Sequence, residues 1–190
     1  MPDKPPTGIL LAAGASRRFG ADKLIARLAN GDRVVTAAAR AMLAATPRLL
    51  AVVRSEDSGA AQALRGLGVP LLVAPEARRG MGASLAAAVR EDPAAPGWLV
   101  GLGDMPYLNP HCVRRVAEAL TSPAAIALPV HAGRRGHPVG FGNAYGDALC
   151  RLDGDRGARD ILSRFAENVL SIECADDTIF TDIDHPSDLS

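Results

Sequence analysis

Short apolar runs recur along the chain, with polar, helix-like stretches between them. Residues 8–12, 49–53, 69–73, 98–102 and 124–130 are apolar at successive rather than alternate positions, the pattern of strands covered on both faces. The intervening segments 34–45, 57–67, 82–90 and 109–120 have helical composition. The last carries the fullest signature: Asn109 as N-cap, Pro110 at the first helical position, and Val113, Val116, Ala117 and Leu120 on one face. Strand alternating with helix predicts an α/β fold, a three-layer, mainly parallel Rossmann-like sheet with helices on both faces. After Val130 the rhythm changes to a loop over 131–138, a short strand over 139–142, short helices near 145–152 and 157–165, and a strand over 168–173. No linker-like stretch separates this part from the rest, so residues 1–190 read as a single domain.

Composition narrows the function classes. The 190 residues are 48% hydrophobic and 22% charged, and 21 basic side chains balance 21 acidic ones. A net charge of zero argues against the broad basic face that nucleic-acid or anionic-membrane binding requires. The apolar runs are far shorter than the ~20 residues of a bilayer-spanning helix, and residues 1–6 are proline-rich rather than a signal region. The expectation is a cytoplasmic protein with neither nucleic-acid nor membrane partners. Cys112, Cys150 and Cys174 lie far apart and are odd in number, so they read as small buried hydrophobes, with no disulfide framework or zinc knuckle implied. All basic residues except Lys4 and Lys23 are arginine. Against that bias, a lysine beside a glycine-rich loop stands out, because an ammonium differs from a guanidinium in size, hydration and geometry.

In an open parallel sheet, ligands bind beyond the carboxyl ends of the strands. The loop after the first predicted strand, Leu11-Ala12-Ala13-Gly14-Ala15-Ser16-Arg17-Arg18-Phe19-Gly20-Ala21-Asp22-Lys23, combines small residues with cations. Small side chains let backbone N–H groups approach phosphate, while Arg18 and Lys23 offset its charge. The loop is neither a Walker A motif nor a dinucleotide fingerprint, which disfavours a nicotinamide oxidoreductase. Its bland alternative is a Gly/Ala turn with solvated arginines. Asp104, at the tip of the apolar run ending at Leu102, stands where a metal-bound phosphate would lie and is the first metal-ligand candidate; an Asx turn before Pro106 is the alternative. Gly80-Met81-Gly82-Ala83-Ser84 offers a second anion or base pocket, or an ordinary capped helix start. Arg135 and His137 are candidates for an acceptor substrate, and Asp182 and Asp184, on one face of an extended segment, for a second metal-ligand set.

The ordered set of motifs resembles a known family. Leu11-Ala12-Ala13-Gly14 with Ser16, Arg18, Gly20 and Lys23 resembles the LAAGxSxRxGxxK signature of the MobA-like nucleotidyltransferases. Gly80-Met81-Gly82, Leu102 to Pro106, Arg135 to Val139 with Phe141, Gly154 to Arg159, and Asp182-Ile183-Asp184 with Pro186, Asp188 and Leu189 follow in that family's order over nearly the whole chain. His185 departs from it, standing where the family usually has Thr. The resemblance implies a nucleotide-diphospho-sugar transferase-like fold, with a nucleotide-binding part at about 7–105 and an acceptor part at about 106–190. Ala12-Ala13-Gly14 and the Arg135–Val139 segment resemble the molybdenum cofactor cytidylyltransferase branch. That implies Mg²⁺-dependent transfer of CMP from CTP to a molybdopterin-type cofactor, with release of pyrophosphate and transient contact with a recipient molybdoenzyme or its chaperone. On this basis Leu11, Ala12, Ala13, Gly14, Arg18, Lys23, Gly82 and Ser84 would bind the nucleotide. Arg18, Lys23 and Asp104 would be catalytic, Asp104, Asp184 and Asp182 would hold the metal, and Arg135 and His137 would meet the acceptor. Ala13, where guanylyl-transferring relatives carry glycine, would favour a pyrimidine, with Arg54 and residues 74–79 the next candidates for base reading. The alternatives are a guanylyl- or cytidylyltransferase for another small phosphate, and a non-catalytic cofactor carrier.

Overall fold

The computed structural model describes residues 4–14, 19 and 22–189, except the Glu76 side chain. Among these residues eight strands form one sheet: β1 (Thr7–Ala12), β2 (Leu49–Val53), β3 (Leu71–Val73), β4 (Gly97–Leu102), β5 (Ile126–His131), β6 (Arg134–Arg135), β7 (Val139–Gly142) and β8 (Val169–Glu173). Their order is β3-β2-β1-β4-β7-β5-β6, and β8 also pairs with β5. The pairs β1–β2, β1–β4, β2–β3 and β5–β8 are parallel, whereas β7 runs antiparallel to both neighbours.

Among the described residues six α-helices flank the sheet: α1 (Val34–Leu43), α2 (Gly59–Arg65), α3 (Met81–Glu91), α4 (Pro110–Glu118), α5 (Gly146–Cys150) and α6 (Arg159–Arg164). The strands are buried on both faces, so successive residues serve different cores. Leu10, Ala51, Val53, Leu99 and Ala127 pack with α1, α2 and α4, while Ile9, Val52, Val100, Ile126 and Leu128 pack with α3, α5 and α6. The unbroken apolar runs thus have the cause anticipated for them, and the three layers follow. Asn109 caps α4 as expected, its side-chain oxygen accepting the His111 N–H at 3.0 Å.

The connections create the functional edge. From β1 the chain steps outward through β2 to β3, then returns to place β4 on the other side of β1. The loops after β1 and β4 therefore lie side by side at the carboxyl ends of neighbouring strands, the edge at which open α/β sheets bind ligands. Because β7 is reversed, the segment entering it, with His137, lies at the same end. Parallel addition of β8 to β5 sends the following residues, 174–189, there as well.

The cysteines correct the sequence reading. Cys112, in the first turn of α4, and Cys174, just after β8, form a disulfide across 62 positions of sequence, leaving Cys150 as the free thiol. Sequence spacing hid a proximity that exists only because β8 lies beside β5 and α4 packs over the same region.

Candidate functional site

Backbone pairing fixes the floor of the site. Leu11 lies opposite Leu102 in the β1–β4 ladder, and the Gly103 N–H donates to the Leu11 carbonyl at 2.9 Å. A Cβ on Gly103 would stand 3.0 Å from that of Ala12, so the loops leave the sheet in close contact. Asp104 follows at once.

Lys23 reaches this point from a 3-10 turn over Lys23–Ile25, whose entry is capped by Asp22 Oδ1 accepting the Leu24 N–H at 3.2 Å. Its Nζ lies 2.8 Å from Asp104 Oδ2 and 3.1 Å from Asp184 Oδ1. Burial works against the ammonium, but hydrogen bonds and charges from Asp104 and Asp184 outweigh it and hold the lysine pKa above its ordinary value.

Asp184 is delivered by the tail. The Ile183 N–H donates to the Asp104 carbonyl at 2.9 Å, and Asp188 Oδ2 accepts the N–H groups of Asp184 and His185 at 2.9 and 2.7 Å. Those backbone bonds, that of His185 first, hold the Asp188 carboxyl below the usual carboxylate range. Asp182 is exposed overall, yet partial burial of its carboxyl, together with the charges of Asp104 and Asp184, raises its pKa. Among the described residues no group of three or more His, Cys, Asp or Glu forms a metal cage. Asp104 and Asp184 do converge on one cation, which suits a hard ion that takes one or two carboxylates and completes its shell with water and phosphate oxygens.

Two hollows meet here. A cleft of about 640 Å³ is lined by Leu11, Ala13, Gly14, Arg54, Arg78, Gly80, Met81, Ser84, Leu102, Asp104 and Asp155, among others. Arg54 donates to the Ala13 carbonyl at 3.2 Å across its rim. A second hollow of about 340 Å³ shares Leu11, Met81, Leu102 and Asp155 with the first and adds Leu128, Arg135, His137, Val139, Phe141, Arg159 and Leu162. His137 donates its backbone N–H to Ile179 at 3.0 Å, but its buried Nδ1 has no hydrogen-bond partner among the described residues. Burial, aided by the charge of Arg159 and opposed by that of Asp104, pushes the His137 pKa down, so the ring is neutral at pH 7.

The structure therefore brings together Lys23, Asp104 and Asp184, with Leu11, Ala13, Gly14 and Ser84 in the adjoining cleft and Arg135 and His137 in the second hollow. Ala12 instead packs into the core at 4% exposure. Gly82, expected on the nucleotide side, has a packing task here. Its N–H donates to the Gly154 carbonyl at 2.8 Å, and a Cβ there would lie 2.9 Å from the Asp153 carbonyl oxygen, so it seats the 153–155 loop. Arg18 lies outside the described residues. Asp155 and Asp188 belonged to the recognised pattern without a role; the structure gives the first a position in both hollows and the second a grip on the Asp184 backbone.

Residues 8–169 match the model of the MobA-like NTP transferase domain. The chain belongs to that family. The chain is 29% identical over 197 residues to the purine catabolism protein PucB of Bacillus subtilis, covering 95% of this chain and 92% of PucB. It is 30% identical over 189 residues to the nicotine blue oxidoreductase of Paenarthrobacter nicotinovorans, covering 94% and 91% of the two chains. Among solved structures, Rv0371c of Mycobacterium tuberculosis superposes with a TM-score of 0.78 at 28% identity over 99% of this chain and 96% of that one. A complex of the same mycobacterial protein with manganese gives 0.73 at 26% identity, over 97% and 96%. The MobA-like domain thus has the sheet of the nucleotide-diphospho-sugar transferase-like fold, and family membership marks it as a nucleotidyltransferase. Among the described residues no helix is long and apolar enough to cross a membrane.

Proposed function

We propose that the protein transfers CMP from CTP to the terminal phosphate of a molybdopterin-type cofactor, releasing pyrophosphate. The observation that carries the reading is the meeting of Lys23, Asp104 and Asp184 at 2.8 and 3.1 Å, at the carboxyl ends of β1 and β4 and beside a cleft large enough for a nucleotide. In such a transfer the acceptor phosphate attacks the α-phosphorus in line, so catalysis is mainly positioning and neutralisation of approaching anions.

Residues 7–105 supply the nucleotide side. Leu11, Ala13 and Gly14 line the nucleoside, with Ala12 setting their path from beneath; Arg54 braces the Ala13 carbonyl, and Ser84 closes the cleft at α3. Lys23, with Arg18, takes the triphosphate. Asp104 and Asp184 would hold Mg²⁺, with Asp182 close by, and the ion would neutralise phosphate charge and order the leaving pyrophosphate. The manganese complex of Rv0371c supports a divalent metal in this family.

Residues 106–190 supply the acceptor side. Leu128, Val139, Phe141 and Leu162 give the second hollow apolar walls for a flat heterocycle, Arg135 and Arg159 bring positive charge for its phosphate, and neutral His137 offers an unsatisfied ring nitrogen. The product would pass to a recipient molybdoenzyme or its chaperone in the cytoplasm.

The test is incubation with each nucleoside triphosphate, Mg²⁺ and molybdenum cofactor, followed by mass identification of the product. A cytosine dinucleotide with stoichiometric pyrophosphate is expected. A guanine product, or transfer to another phosphate, would redirect the acceptor or base assignment; binding without pyrophosphate release would indicate a carrier. The name of the nicotine blue oxidoreductase raises a second reading, reduction of a planar heterocycle in the apolar hollow. Cofactor-dependent hydride consumption without pyrophosphate release would favour it.

A further inference from the structure

The Lys23 ammonium stands where nucleotidyl transfer needs a different cation. Its Nζ takes up Asp104 Oδ2 at 2.8 Å and Asp184 Oδ1 at 3.1 Å, the oxygens through which those carboxylates would grip a divalent ion. Magnesium holds carboxylate oxygens at about 2.0–2.1 Å. An ion bound by the same pair would lie against Nζ, and the two positive charges would repel.

The lysine backbone is poorly placed to withdraw. Asp22 caps its turn, and the Ala26 carbonyl accepts the Val34 N–H at 3.1 Å, tying the turn to α1. The side chain is different: a flexible four-carbon stem carries a compact ammonium that donates in several directions. The neighbouring 640 Å³ cleft gives a phosphate-bearing ligand room to offer it another anion. A guanidinium, planar and larger, would fill the gap between the carboxylates without the same freedom to leave. That distinction gives a physical reason for lysine at this position in an arginine-biased chain.

We propose that Lys23 occupies the cation position in the ligand-free protein and gives it up only when nucleotide phosphates take the ammonium, so that the divalent ion enters with the nucleotide rather than before it. The inference rests on the nucleotidyl-transfer reading for one premise, that Asp104 and Asp184 are the metal ligands. Two readouts test it without any acceptor or turnover.

The first is Mn²⁺ binding to nucleotide-free protein, followed by the electron paramagnetic resonance signal of the free ion. The unaltered protein should bind only weakly, in the millimolar range. Lys23→Met should bind at least roughly tenfold more tightly, because a like charge at contact distance has gone, and Lys23→Met/Asp184→Asn should lose that gain. Equal affinity in unaltered and folded Lys23→Met protein would overturn the proposal. The second uses the unaltered protein alone, so it stands even if Lys23→Met does not fold. Water-proton relaxation enhancement should be small with Mn²⁺ and rise when CTP or GTP is added. Micromolar Mn²⁺ binding without nucleotide would overturn the gating alone. No enhancement with either nucleotide would remove the carboxylates as metal ligands, and with them the nucleotidyl-transfer premise.

Discussion

Replacing Cys112 with alanine removes the covalent tie between the first turn of α4 and the residue that follows β8. The cross-link spans 62 positions, and closing a loop of that length restricts the unfolded chain by about 4 kcal/mol at 25 °C on the entropic account, with measured values usually about 2–4 kcal/mol. Some of the tie is duplicated: Asn109 Nδ2 donates to Asp176 Oδ2 at 3.1 Å two residues beyond Cys174, and the two cysteines share one apolar cluster with Ile179 and Phe180. A loss of about 2–4 kcal/mol is therefore expected. In a chain of this size it corresponds to a fall in melting temperature of roughly 5–15 °C. Thermal unfolding of the protein purified without reductant, of the same sample after dithiol reduction, and of Cys112→Ala measures it; Cys150→Ala, which leaves the bond intact, should melt near the unaltered protein. Thiol titration in denaturant should count one free thiol before reduction and three after. Three thiols at the outset, or identical melting before and after reduction, would refute the cross-link and its energetic role.

The other expectations concern the site. Asp104→Asn keeps the shape but removes the charge facing Lys23, and should lower pyrophosphate release by roughly 10²-fold or more; near-normal turnover at saturating Mg²⁺ would end its assignment. Asp188→Ala removes the acceptor that orients the Asp184 and His185 N–H groups, so it should raise the metal concentration needed for half-maximal rate, with Asp188→Asn recovering part of the loss. An unchanged metal requirement in Asp188→Ala would leave that carboxylate a bystander. Gly80 has φ +125°, and an added Cβ would collide with Asp155 Oδ1 and the Gly154 carbonyl group. Gly80→Ala should cost about 1–3 kcal/mol in a conformation open essentially to glycine and raise KM for the nucleotide, and unchanged denaturant midpoints would contradict the clash. His137 is held below its ordinary pKa of 6.5, so the unfolded chain takes up that proton first. Its stabilising contribution is whole above pH 6.5 and lost as the pH falls through the folded value. His137→Gln should flatten that acidic limb of the melting curve, whereas an unchanged limb would place the titration elsewhere.

Much of the fold was legible because burial on both faces writes itself into composition: the runs at 8–12, 49–53 and 98–102 needed no alternation to be strands. Element ends were less legible. The run expected to begin at Val69 starts as a strand at Leu71, because Val69 still closes the end of α2 through its N–H to the Leu64 carbonyl at 3.1 Å. The strand expected from Ala124 begins at Ile126, where pairing with β7 and β8 starts. In the site, Asp104 was readable from local position alone, at the end of an apolar run. Asp184 was readable only as one of two carboxylates in an acidic segment, since its meeting with Lys23 crosses 161 positions. The disulfide and the seating role of Gly82 were not readable, because each depends on which distant loop arrives, and spacing carries no such information.

Exchange of the Lys23 ammonium for a divalent ion requires that the two carboxylates keep their places when the ammonium leaves, since otherwise their mutual repulsion would open the site before an ion could enter. The structure meets that demand through the main chain. The Ile183 N–H grips the Asp104 carbonyl at 2.9 Å, which fixes the separation of the two segments whatever Lys23 does. The Asp188 carboxylate clamps the turn that carries Asp184, and the Tyr107 hydroxyl donates to the Asp188 carbonyl at 3.1 Å, returning the tail to the loop after Asp104. The disulfide ties the same tail to α4 ten residues before Asp184. Lys23 therefore neutralises a pair that it does not have to hold together. A site built this way can exchange one cation for another without rebuilding itself, because the backbone bears the geometry and the side chains bear only the charge.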